Sequence, residues 1–222
     1  MSETLLFVED TLQIWALQFM GTVYFLRLLW ILHFKAGGDR QAPTGRGTSP
    51  RKGILYSWLN VAMPWAMEST RKRAFMYAQF IIFHLGVVSA IGLSFIIPYA
   101  AEWLHSLVLV RVLQVSIGLA FAVGVWRIIR RMTHPVMRKI SSPDDYFSLI
   151  LLTVWFFFAF LSVPNNHQDG EGVLMTFFLL TAFFLVYVPF SKISHYLYYP
   201  FTRFYLGRTL GHRGVFPLRR TS

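Results

Sequence analysis

Seven histidines are the side chains of this 222-residue sequence best suited to holding a redox metal, because it contains no cysteine. The missing thiol excludes a disulfide, a thiolate-bound iron–sulfur cluster, a zinc knuckle and the C-x-x-C-H attachment of covalent haem. Two of the histidines stand where polarity is costly. His84 lies in Phe83-His84-Leu85-Gly86, surrounded by Ile81, Ile82, Val87 and Val88, in a run with no carboxylate to pair with it. His195 closes the string Pro189-Phe190-Ser191-Lys192-Ile193-Ser194-His195 at the end of another apolar run. A neutral imidazole from each of two facing helices supplies the two axial ligands of an iron porphyrin, whose flat ring fills an apolar bundle. Gly86 removes a side chain where such a ring must approach closely. The alternative for each histidine is a hydrogen bond to a neighbouring helix or a place among lipid headgroups.

The remaining candidates carry less. His33 ends an apolar run beside Lys35 and reads as interfacial, while His134 and His212 stand among arginines and read as solvated. His105 and His167 both fall in short segments on one side of the membrane, where together they could ligate something. Arg27 and Arg111 are charges inside apolar runs; each could snorkel, or pair with a propionate, a quinone or a partner's carboxylate.

The elements that position these residues are membrane spans. With 55% hydrophobic, 18% aromatic and 14% charged residues, the chain is too apolar for the surface a soluble domain must show to water. Apolar runs at about 11–34, 74–101, 103–126, 146–163 and 172–199 predict an all-α bundle of five transmembrane helices within a single membrane domain, 1–222. The fifth run is expected to continue past Lys192, with Tyr196, Tyr198, Tyr199 and Phe201 as an interfacial belt. The segments 35–73, 127–146 and 192–222 hold nineteen of the twenty-one Lys and Arg, which makes them cytoplasmic by the positive-inside rule. Glu102, Asp169, Glu171 and the acidic N-terminus mark the other side, so the N-terminus is outside and the C-terminus inside. That N-terminus has the wrong charge for a cleaved signal peptide, so the first span is expected to insert uncleaved. Residues 37–53, rich in Gly, Pro, Ser, Thr and basic groups, read as a flexible loop. Topology accounts for the net charge of +11, and no nucleic-acid partner is expected.

Phe83-His84-Leu85-Gly86 on the second run, with Pro189-Phe190-Ser191-Lys192 and His195 on the fifth, resembles the di-haem cytochrome b gamma subunit of respiratory nitrate reductases. Arg130-Arg131, Pro135 and Arg138 after the third run, Asp145-Tyr146 opening the fourth, and Val163-Pro164 with His167, Asp169 and Gly170 closing it support the likeness. It covers the chain from the second run onward; the first loop matches weakly. Relatives of this family also serve as the cytochrome b subunits of heterodisulfide-reductase-like and high-molecular-weight-cytochrome complexes. The family pattern has another histidine ten residues after the first, and another eighteen residues before the last, five helical turns away on the same face. Here those positions are Ser94 and Phe177, so the outer pair of ligands is replaced and the inner pair, His84 and His195, is kept.

The resemblance therefore implies a mono-haem cytochrome b subunit in a bacterial or archaeal cytoplasmic membrane. It would pass electrons between the membrane and a cytoplasmic iron–sulfur subunit, beside other integral membrane subunits of an anaerobic respiratory complex. Such a chain is an electron-transfer part of an oxidoreductase rather than a complete enzyme. Arg71, Lys72, Arg73, Arg130 and Arg131 are propionate partners by their side of the membrane, and menaquinone is a second candidate cofactor. A haem-free anchor that tethers such a complex is the alternative, and a transporter is a third reading, disfavoured by the lack of an internal carboxylate or a broken pair of spans.

Overall fold

The computed structural model describes residues 2–34, 37, 39–43, 47–63, 68–166 and 170–217. Five helices are long and apolar enough to cross a membrane: α1 (Glu3–His33), α4 (Ala74–Tyr99), α5 (Leu107–Thr133), α7 (Pro143–Ser162) and the helix that runs over Gly172–Phe190, whose α-helical part is α8 (Gly172–Tyr187). The shortest has 19 residues, which at about 1.5 Å per residue nearly matches a ~30 Å hydrocarbon core. Among the described residues, four further α-helices are α2 (Pro50–Leu59), α3 (Glu68–Lys72), α6 (Pro135–Ile140) and α9 (His195–His212). The chain folds as two compact units, one of residues 1–24 and 78–193, the other of residues 25–77 and 194–222.

The first unit is built on aromatic packing. Phe156, Phe177 and Phe178 are fully buried, and Trp155 stacks on Phe177 at 6.2 Å between ring centroids. The polar edge of Trp155 is satisfied: its indole N–H donates to Thr181 Oγ1 at 2.8 Å, and Thr181 in turn donates to the Phe177 carbonyl. Small residues let α4 and α5 approach. A Cβ on Gly86 would collide with that of Ala120, and Ser116 donates to Ser89 at 2.6 Å across the same seam. Beside that seam α4 and α5 expose Leu85, Val88, Val112 and Val115, an apolar surface suited to lipid chains.

In the second unit, α2 and α9 run antiparallel and touch backbone to backbone. Ser49 caps α2 with its side chain and Pro50 opens it, while the Ser49 N–H donates to the Gly211 carbonyl at 3.0 Å. A Cβ on Gly207 would sit 2.6 Å from both the Gly53 oxygen and Ile54 Cα. Further along, the Trp58 indole N–H donates to the Pro200 carbonyl at 2.9 Å and Arg203 bonds Asn60. Asp39 accepts from Arg213 at 2.5 Å, and that guanidinium, with the Gln41 N–H, pulls the carboxyl down to about 2. Residues 37–53, expected as a flexible loop, therefore include a helix start at Pro50 and a segment tied at Asp39 to the end of α9.

The fifth apolar run also departs from expectation. It does not continue as one helix to residue 199: α8 ends at Tyr187, a 3₁₀ turn covers Val188–Phe190, Ser191 is extended with ψ 170°, and α9 begins at His195. Pro189 has no N–H to give to the preceding turn, and its ring crowds the carbonyl four residues back. Ser191 takes over part of the lost bonding, since its hydroxyl donates to the Val188 carbonyl and accepts from the Ile193 N–H, each at 3.1 Å.

Candidate cofactor site

His84 sits on α4 in the first unit, half-buried. Its Nδ1 lies 2.8 Å from the Phe80 carbonyl oxygen, one turn earlier. A carbonyl only accepts, so Nδ1 carries the hydrogen, and in the neutral imidazole Nε2 then carries the lone pair. This is how a metal-binding imidazole is oriented, with one nitrogen tied to the backbone and the other directed by it. The Phe80 ring lies 4.2 Å from the imidazole by centroids and restricts its rotation further. Next to it, Phe83 is buried edge-on against Phe156 at 5.2 Å and lies under the Arg127 guanidinium at 4.9 Å.

Donor chemistry around His84 thus fits haem iron, whereas Gly86 has a different use from the one the sequence suggests. The space it leaves is filled by Ala120 of α5, so the glycine serves a helix crossing and not the approach of a ring. A groove of about 400 Å³ opens between α4 and α5, lined by Ile82, Leu85, Val112, Val115 and Leu119 with Arg111 at one end. Ile82 and Leu85 flank His84 in sequence, but His84 does not line the groove.

His195 is the first residue of α9, in the second unit, and is exposed, with the Tyr196 ring 6.4 Å away by centroids. The helix break at 188–194 removes the five-turn phase relation between positions 177 and 195 on which the sequence argument relied. Ser94 is half-buried and donates to the Ile91 carbonyl at 2.8 Å, and Phe177 belongs to the aromatic core, so both replaced positions have packing roles of their own. His105 is exposed at the end of a 3₁₀ turn, Ala101–His105; its suggested companion His167 lies outside the described residues. His212 is not simply solvated, since Nε2 donates to the Gln41 carbonyl at 3.1 Å. Among the described residues no group of three His, Asp or Glu comes together as a metal site.

The propionate candidates divide. Lys72 pairs with Glu68 at 2.6 Å on an exposed face, between Arg71 and Arg73. Arg131 joins a polar clamp in the first unit that sequence reading did not assemble. Its guanidinium donates to Ser141 Oγ at 2.8 Å and lies 3.8 Å from Asp145, while Lys192 reaches the same carboxylate at 3.0 Å and Ser142 Oγ at 2.8 Å. Asp145 also closes a capping box with Ser142 at the start of α7. Tyr146 donates to the Arg131 carbonyl at 3.1 Å, and Tyr187 to Asp144 at 2.7 Å. The clamp thus fastens the end of α5, the start of α7 and the end of α8, and it gathers Arg131, Asp145, Tyr146 and Lys192, four of the residues on which the family resemblance rests. The capping signal Ser142-Pro143-Asp144-Asp145 was its one legible sign in the sequence. Arg130 is adjacent in sequence at the same end of α5.

No protein-family model matches this chain, and no curated protein and no solved structure is similar to it.

Proposed function

We propose that this multi-span all-α membrane protein is a mono-haem cytochrome b subunit of a respiratory redox complex, with its N-terminus outside and its C-terminus in the cytoplasm. The observation that carries the reading is the His84 imidazole in an apolar span, with Nδ1–H held by the Phe80 carbonyl and the lone pair on Nε2. His84 would hold the haem iron through Nε2, with His195 the sequence candidate for the second imidazole. When bound, the haem supplies a one-electron couple. The chain's own work is to fix the imidazole tautomer, to keep water from the iron through the apolar faces of its helices, and to offer cations to the propionates, with Arg130 and Arg131 at the end of α5 the first-unit candidates.

A second reading, the haem-free anchor, has its own support: Ala120 fills the space at Gly86 and the aromatic core of the first unit is closed. The visible spectrum of the purified, reduced chain separates the two. A sharp low-spin b-type band is expected; a spectrum with no haem band establishes the anchor. The expected stoichiometry is one haem per polypeptide, because Ser94 and Phe177 stand at the outer ligand positions of the resemblance. A value near two overturns the mono-haem reading and directs attention to His105 and His167.

The proposed partner is a cytoplasmic iron–sulfur subunit, beside other integral membrane subunits and with menaquinone as a further cofactor candidate. One haem near the inner face leaves about half of a ~30 Å hydrocarbon core without a redox centre from this chain, so the near neighbour is on the cytoplasmic side. Stripping peripheral subunits from the native complex with high salt is expected to slow haem reoxidation by a soluble cytoplasmic acceptor. Unchanged rates, or a stable partner on the outer face alone, exclude that route.

A further inference from the structure

Near the start of α1 the helix widens into a π-helical stretch, Phe7–Thr11, with the Leu12 N–H donating to the Phe7 carbonyl five residues back. Such turns are rare and recur at functional positions. One buried polar side chain lies within this turn and another just after it. Glu9 is 5% exposed and Gln13 is 6% exposed. The Gln13 amide nitrogen is fully committed: it donates to the Val8 carbonyl at 2.9 Å and to the Phe178 carbonyl of α8 at 2.8 Å. That fixes the amide's orientation, since a flip would set its oxygen against two carbonyl oxygens. Gln13 Oε1 is therefore an acceptor facing away from both carbonyls, and among the described residues it has no donor. Glu9 Oε2 is likewise buried and without a donor.

The pair stands four positions apart across the end of the π-helical stretch. Each side chain keeps one buried acceptor oxygen to which no described residue donates. The neighbouring Asp10 is served differently, for Tyr99 donates to its Oδ1 at 2.6 Å. Within the first unit, the elements that meet the π-helical stretch include the first turn of α1, with Glu3, α8, which has no Lys, Arg, His, Asp or Glu and follows Glu171, and the end of α4, with Tyr99. Glu171 accepts from the Ser2 backbone N–H at 2.7 Å. No cation on these elements meets an ionised Glu9, and a buried unpaired carboxylate is strongly disfavoured. A metal cation is a poor occupant as well, because two side-chain oxygens fall far short of the roughly six or more a hard cation takes.

We propose that Glu9 and Gln13 form a proton-binding site, in which Glu9 is held as a carboxylic acid that donates to Gln13 Oε1. The assignment is independent of the haem reading. Release of the proton leaves a buried anion beside Asp10, so it requires α1 to move at the π-helical turn or a cation to enter.

Infrared spectroscopy of the full-length protein in lipid nanodiscs at neutral pH tests this, with and without ¹³C in the glutamate side-chain carboxyl. A carboxylic-acid carbonyl band that moves with the glutamate label and shifts on deuteration is expected. Glu9→Gln, whose amide can donate the same bond, is expected to lose that band and keep its thermal stability. The labelled wild type answers the question even where the variant does not fold. Absence of a glutamate-dependent acid band, or its persistence in Glu9→Gln, overturns the proposal. An absent band together with a rise in melting temperature on replacing choline by sodium assigns the site to a cation instead.

Discussion

Replacing His84 with alanine is expected to remove nearly all haem from the purified chain, and His195→Ala to do the same. Bis-imidazole ligation gives a six-coordinate low-spin iron; one remaining imidazole leaves an open position and a weakly held ring. In the first unit the loss goes beyond one donor atom. The Phe80 carbonyl, 2.8 Å from Nδ1, is left without the hydrogen bond that orients the ligand, and partners of this kind typically alter metal affinity by about 10–100-fold on their own. A pyridine haemochrome assay, normalised to protein, reads the effect, and size-exclusion chromatography separates haem loss from misfolding. Full haem in both variants removes the ligand assignment altogether. Full haem in His195→Ala alone keeps His84 and requires another second ligand.

The largest stability effect is expected at the α2–α9 crossing. In Gly53→Leu the new Cβ collides with the Gly207 carbonyl oxygen and lies 2.6 Å from Gly211 Cα and 2.9 Å from Gly211 N. These are backbone atoms, so no rotamer relieves the contact, and the two helices must separate. Overpacking of a close contact typically costs about 1–3 kcal/mol, and separation adds the bonds that depend on the crossing, including Ser49 N–H to Gly211 and Trp58 to Pro200. Hydrogen exchange should show lost protection over both Pro50–Leu59 and His195–His212. Gly92→Leu is the control, for a Cβ there meets nothing within 4 Å. Equal protection in both variants contradicts the crossing.

The five long helices were legible because an uninterrupted apolar run of span length has few other uses, and the charge-free stretch of α4 is the plainest case. The boundary after α8 was not. Apolar and aromatic residues run on past Tyr187, which hides a break whose cause, Pro189, stands in plain view. Hydropathy records how a segment partitions, not whether its backbone continues. For the same reason the first turn of α2 passed as loop: the face it buries carries Gly53 and Ser57, too poor in apolar side chains to show a helical stripe, and only Ser49-Pro50 marked its start. Of the candidate site, the imidazole in an apolar run was visible, whereas the Phe80 bond that sets its tautomer depends on a rotamer. Gly86 was visible as a small residue, but what it makes room for is decided by Ala120, thirty-four positions later. The pairing of Lys192 with Asp145 joins residues 47 positions apart and had no local sign.

The two strands of sequence that make the α2–α9 pair also impose an order on biogenesis. Trp58 and Pro200, which are hydrogen-bonded, are separated by 142 positions, and the intervening chain contributes four of the five long apolar helices. At about 5–20 residues per second, α2 emerges on the order of ten seconds before its partner exists. During that interval its glycine face is uncovered, and a nascent chain halted before residue 195 never covers it. The second unit thus closes only after translation has passed the helix over Gly172–Phe190, and its closure reports that passage.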